Sequence, residues 1–241
     1  MKRKTLFRLL PLALLLALLL GSCAGKKATF TFADETYRNE KTGVVYRVAS
    51  PCYRSATYFE DTFVGAYRSK RGTEIKFYRV EKSDGLLTDE DHLIYYPEGT
   101  VLPTLEEMQI TVIDLCKQDK ITVSFLTIEE ETQIASIVRA YTKGSPLPME
   151  RIHADVKERY NLVFTAGESE LVYELEYLTF ADELVIYEPL RDGQIPDTYP
   201  GIPADVVTSD GEQVAAFRFG TQLIYDRDAG TCFKISKLIE D

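Results

Sequence analysis

The stretch ELVYELEYLTF, residues 170–180, alternates apolar and charged side chains with a period of two. Leu171, Tyr173, Leu175 and Tyr177 share one face, and Glu174 and Glu176 share the other, so it reads as a strand with one buried and one wet side. Outward from it, NLVFT (161–165) and ELVIYE (183–188) continue the pattern, and MERIHADVKERY (149–160) leads irregularly into a strand from about Val156. ADVVT and EQVAAFRF flank the turn SDG, and TQLIYD and TCFKIS flank RDAG. Asp210-Gly211 and Ala229-Gly230 supply the positive φ that tight hairpins need. Toward the N-terminus, TGVVYRVA (42–49), TFVGAYRS (62–69), TEIKFYRV (73–80), QITVIDLC (109–116) and KITVSFLT (120–127) are short, rich in β-branched and aromatic residues, and bounded by turn formers. KQDK (117–120) reads as the hairpin between the last two.

One helix interrupts the strands. In TIEEETQIASIVRAYTKGSP (127–146), Ile134, Ile137, Val138 and Tyr141 fall at i, i+3, i+4 and i+7, a single apolar stripe. Thr127 and Glu130 have capping-box spacing, and Lys143-Gly144 with Pro146 and Pro148 ends the helix. TLEEM (104–108) reads as a briefer turn. The fold class is therefore α+β and β-rich: mostly antiparallel sheet and hairpins with one well-marked helix over about 128–142. KGSPLP (143–148) leaves open a division into two halves near 144–148. PLRDGQIPDTYPGIP (189–203) packs four prolines and two glycines into fifteen residues, and long loops of this kind are usually functional or disordered. Its Asp192, Asp197 and Tyr199 are the candidate binding-loop residues. YRNEKTGVVYRVAS and YDRDAGTCFKIS both place Tyr, a charged turn, Gly and then an alternating strand, which is hairpin grammar rather than a repeat array.

The first 22 residues are of another kind. MKRKTLFR is positively charged, and LLPLALLLALLL (9–20) is an apolar run of twelve, short of the roughly 20 residues that a bilayer-spanning helix needs. Gly21 and Ser22 are small, and Cys23 follows them. The run Leu20-Gly21-Ser22-Cys23 resembles the lipobox of bacterial lipoprotein precursors. The resemblance covers residues 1–23 only. It implies a diacylglycerol on the Cys23 thiol, cleavage between Ser22 and Cys23, and retention at the membrane by two or three acyl chains. The expected organisation is a signal peptide at 1–22, a lipidated cysteine with a short linker at 23–27, and a β-rich extracytoplasmic domain at 28–241.

Residues 1–22 hold Lys2, Arg3, Lys4 and Arg8 and no acid, so the remainder sets 24 basic side chains against 38 acidic ones, a net charge of −14. Such a surface repels phosphate backbones, so no nucleic-acid partner is expected. With 15 Tyr and 12 Phe the chain is a globular domain rather than a disordered acidic one.

With Cys23 assigned to lipid, Cys52, Cys116 and Cys232 remain, and no CxxC pair occurs. Buried free thiols are the simpler reading, and a Cys52–Cys232 bridge stays open. There is no HExxH, GxSxG, P-loop or GxGxxG. The two histidines, His92 and His153, stand far apart, and the acidic loops TDED (88–91) and DRD (226–228) lack EF-hand spacing, so neither metal nor cofactor is expected. Two functions fit. One is a non-catalytic binding or accessory module on the extracytoplasmic face of the membrane, whose partner is an envelope protein or peptide met at strand edges or the Pro-rich loop. The other is a cell-envelope hydrolase using paired carboxylates.

Overall fold

The computed structural model describes residues 27–118, 122–167, 169–190, 192, 194–195, 204–209 and 212–239. The signal-like segment, Cys23, Asp197 and Tyr199 lie outside them, as do Asp119, Lys120, Asp210 and Gly211 of two expected hairpin turns. β1 (Ala28–Ala33), β2 (Thr36–Asn39) and β3 (Val45–Val48) form an antiparallel meander. The chain leaves it through β4 (Tyr53–Ser55) and a 3-10 turn, then returns as β5 (Phe63–Arg68), β6 (Glu74–Arg79), β7 (Leu87–Thr88) and β8 (Ile94–Pro97). β8 pairs with β3 and β1 with β5, so seven strands in the order β1-β2-β3-β8-β7-β6-β5 close into a barrel. The chain is β-rich with one α-helix among the described residues, as expected, but the expectation of sheet and hairpins omitted this closure.

The closing pair is parallel, with Ala28, Thr29 and Phe30 opposite Gly65, Ala66 and Tyr67. Hairpins announce themselves through turn residues, whereas a parallel contact between distant segments leaves no such signature. Its one local mark is Gly65. A Cβ there would lie 2.0 Å from the Ala28 carbonyl oxygen, so β1 reaches β5 only because position 65 has no side chain. Inside the barrel, Phe30 and Phe77 rings stand 4.3 Å apart, and Phe77 meets Tyr95 edge-on at 4.9 Å. Ala28, Tyr37, Tyr46 and Leu87 complete this aromatic filling.

The remaining elements are β9 (Val112–Gln118), β10 (Thr122–Ile128), helix α1 (Glu131–Thr142), β11 (Leu147–Pro148), β12 (Val156–Thr165), β13 (Leu171–Pro189), β14 (Ala204–Ser209), β15 (Glu212–Asp226) and β16 (Thr231–Lys234). They form a nine-stranded sheet, β10-β9-β12-β13-β15-β16-β11, with β14 on β15 and β4 on β13. The stretches ELVYELEYLTF and ELVIYE are one 19-residue strand, whose register against β15 shifts between Thr179 and Leu184. Gly220, opposite the shift at φ +86°, gives β15 the left-handed residue that the bend requires. KGSPLP carries β11, which pairs with β16, so strands on both sides of that stretch belong to one sheet.

Tyr173, Leu175 and Tyr177 point into the main core with Ile113, Leu115, Leu162 and Phe164, and Ile134 and Ile137 of α1 bury against them. Val138 and Tyr141 complete the stripe at its half-buried margin. The helix starts at Glu131, and the capping box at Thr127 does not form. Thr127 is still in β10, where its hydroxyl donates to Asp114 Oδ1 at 2.6 Å. TLEEM forms half of such a box: Thr104 N and Thr104 Oγ1 both donate to Glu107 Oε2, at 2.8 and 3.0 Å, while Glu107 N bonds the Thr104 carbonyl rather than the hydroxyl. Cys52, Cys116 and Cys232 are buried and free, so the Cys52–Cys232 bridge is absent.

Replacing Gly65 with Ala forces β1 and β5 apart, and the expected loss is about 1–3 kcal/mol, the usual cost of overpacking. Denaturant unfolding of the variant checks this; an unchanged midpoint would contradict the role given to Gly65.

Candidate functional site

The face of the sheet opposite α1 was expected to be wet. In the structure, Glu174 is half-buried and Glu176 is only 6% exposed. Register explains why. Cys116, Asn161 and Glu176 lie in one row across β9, β12 and β13, and Asp114, Val163 and Glu174 lie in the next. Arg159 reaches along this face to Glu176 Oε2 at 2.8 Å, and Arg227, from the turn after β15, pairs with the other carboxylate oxygen. A carboxylate enclosed this way needs its charge compensated, and two guanidiniums do it here.

The barrel rim stands beside this face. β4 lies antiparallel to the start of β13, with Arg54 opposite Val172, and its other edge meets the β7–β8 connection through an Arg54–Leu93 bridge. Ser55 N donates to the His92 carbonyl at 3.0 Å, and Arg54 Nη1 donates to the Asp91 carbonyl at 3.0 Å. Between rim and sheet run two adjoining cavities that share Arg54, Glu174 and Arg227 as lining. One, of about 340 Å³, has Asn161, Val163 and Cys116 among its lining residues, with Asp91 and His92 from the rim. The other, of about 200 Å³, continues past Cys52, Glu176 and Asp228. Together they make an open groove lined by cations and anions.

Both acidic loops singled out in the sequence border this groove. In DRD, Asp226 turns inward. It accepts the Tyr141 hydroxyl at 2.8 Å and the backbone N–H groups of Asp228 and Ala229 at 3.0 Å each, while Asp228 accepts Ser50 Oγ at 2.8 Å. In TDED, Asp89 is buried and accepts the Tyr95 hydroxyl at 2.7 Å and the N–H of Asp91 and Leu93. Their carboxylates close turns, and among the described residues no group of three or more His, Cys, Asp or Glu is placed to hold a metal ion. The turns at Asn39 and Asp226 are built alike: each side chain accepts two N–H groups of the loop, and a positive-φ glycine follows, Gly43 or Gly230.

Cys52, on the groove wall, is not poised as a nucleophile. Burial, with Asp226 and Asp228 nearby, pushes its thiol up from 9.0 to about 11, although Ser50 and Tyr173 pull the other way. Cys116 is pushed up as well, by burial and then by Asp114 and Glu174. His92 holds its Nδ1 3.0 Å from the Ser55 carbonyl, a satisfied position in a positive-φ turn. Of the candidate loop residues, Asp192 is exposed in a turn just beyond β13 and does not line the groove. Arg54, Arg227 and the buried state of Glu176 had no local signal. Alternation marks which side a residue faces, not what crosses over from a neighbouring strand.

Compared with protein-family models, with curated proteins and with solved structures, the chain matches none of them.

Below about pH 9 the Cys52 thiol is neutral in both folded and unfolded chains. Between about 9 and about 11 the unfolded thiol ionises first, so folded stability declines across that window. Cys52→Ala is expected to make this decline shallower in denaturant titrations run from pH 8 to 11. An unchanged slope would contradict the burial effect.

Proposed function

We propose that the chain is a lipid-anchored binding or accessory module on the extracytoplasmic face of the cell membrane. It is held there by acyl chains on Cys23, and it takes an envelope protein or peptide in the groove between barrel and sheet. The observation that carries this reading is the groove itself: a polar sheet face left open beside a rigid rim, with Arg54, Arg227 and Glu174 facing a shared space. A peptide presents both charge signs and a hydrogen-bonding backbone, which such a lining complements. The hydrolase alternative needs one carboxylate to give a proton and another to act as base or nucleophile. Of the four carboxylates lining the groove, Asp91, Glu174, Glu176 and Asp228, Glu176 is engaged by two guanidiniums and Asp228 accepts Ser50 Oγ, which favours binding over acid–base work.

The mature chain purified from membranes is expected to begin with an acylated Cys23 by mass spectrometry. A photoreactive residue placed at Asn161 in that chain is expected to cross-link one discrete envelope partner, and Arg227→Glu to reduce the yield at least tenfold. The same probe at exposed Val101 should give no such product. An unmodified N-terminus at another position would contradict the anchor, and equal labelling from Asn161 and Val101 would contradict the groove.

A further inference from the structure

A second groove, of about 720 Å³, follows the β1–β5 seam on the barrel, apart from the sheet. Lys27, Phe32, Phe63, Tyr67, Arg68 and Lys70 line it. Lys27 Nζ sits 4.2 Å above the Phe63 ring, and Phe32 is 47% exposed. Lys70 is exposed, and Arg68 pairs with Glu74 at 2.8 Å, the acid that shares this groove. The β5–β6 turn adds exposed Arg71 beside Lys70. In a chain whose charge outside residues 1–22 is −14, Lys27, Arg68, Lys70 and Arg71 gathered around exposed Phe32 and half-buried Phe63 and Tyr67, with Glu74 and the Thr31-bound Glu40 as the neighbouring acids, run against the general surface.

That combination is interfacial chemistry: rings settle at headgroup depth while Lys and Arg meet phosphate. Position agrees with it. Lys27 lies four residues after Cys23, so an extended connection reaches at most about 14 Å. Cations brought that near an anionic leaflet lie within about two Debye lengths of it at physiological salt, where attraction still acts. The acidic groups of the domain would be repelled from the same surface, which favours turning this face toward it.

We propose that the β1–β5 face of the barrel lies on the anionic membrane surface. This orients the domain and leaves the barrel–sheet groove, which shares no lining residue with that face, uncovered by it. The inference rests on the reading of Cys23 as the lipidated residue.

The chain contains no Trp, so one introduced Trp is an unambiguous reporter. Phe32→Trp is made in the full lipidated chain, with Phe125→Trp on β10, also exposed, as reference. Both are reconstituted in phosphatidylglycerol–phosphatidylcholine vesicles whose lipids are brominated near the headgroup. Emission from Phe32→Trp is expected to be quenched at least twofold more than that from Phe125→Trp, and the difference to shrink in pure phosphatidylcholine. Thr29→Trp, exposed on the same strand, replaces the reporter if Phe32→Trp does not fold. Equal quenching in an acylated, vesicle-bound chain overturns this inference alone, including the case where a peptide fills the groove instead. A chain whose Cys23 carries no lipid overturns the anchor reading and this inference with it.

Discussion

One three-residue strand and the core beneath it join the two β units. β4 bonds to β13 along one edge and to residues 92 and 93 of the barrel along the other. Below it, Ala49, Val80, Leu86 and Ile94 from the barrel side pack into the same cluster as Ile113, Leu115, Phe164 and Tyr177 of the sheet. Each fully buried aliphatic or aromatic side chain there contributes about 1.5–3 kcal/mol. The barrel needs this partner. Its strands run from two to six residues, and a unit of about 70 residues buries too little surface to be more than marginally stable alone. Closure at Gly65 shapes the barrel, and the shared core holds its rim against the sheet.

That rim turns an ordinary sheet face into a candidate site. A polar face open to water binds nothing in particular. With Asp91 and His92 held beside it and Arg227 folded over Glu176, the same face becomes a bounded groove whose charges are held in place. Removing either arginine alone leaves Glu176 with one compensating partner, whereas removing both strands a buried charge. The groove and its ion cluster are therefore coupled, and a ligand that engages Arg227 competes with Glu176 for it. The basic β1–β5 face shares no lining residue with that groove, so the proposed binding and the proposed membrane contact use separate surfaces.

Much of this was legible in the residues. Period-two alternation located β3, β5, β6, β9, β10 and β12 to β16, because half-buried strands must alternate, whereas β4, β7, β8 and β11, of two to four residues each, are too short to show a period. The stripe Ile134, Ile137, Val138 and Tyr141 located α1, because only a helix brings those positions together. What escaped was non-local. The parallel β1–β5 contact joins segments without a turn, and nothing in TFVGAYRS marks Gly65 as the point where β1 closes on β5. Thr127 had capping-box spacing, yet Asp114 on the neighbouring strand took its hydroxyl. Glu176 looked solvated because nothing in ELVYELEYLTF tells of arginines arriving from β12 and from the turn after β15. The run DRD read as a loose acidic loop, although Asp226 is tied to the core through Tyr141.

The central claim is that barrel and sheet are one cooperative unit built on a shared core. Scanning calorimetry of the purified chain tests it most directly. The account predicts a single transition whose calorimetric enthalpy equals its van't Hoff enthalpy. Two resolved transitions, or a calorimetric enthalpy well above the van't Hoff value, would show that the barrel and the sheet unfold independently and would contradict it.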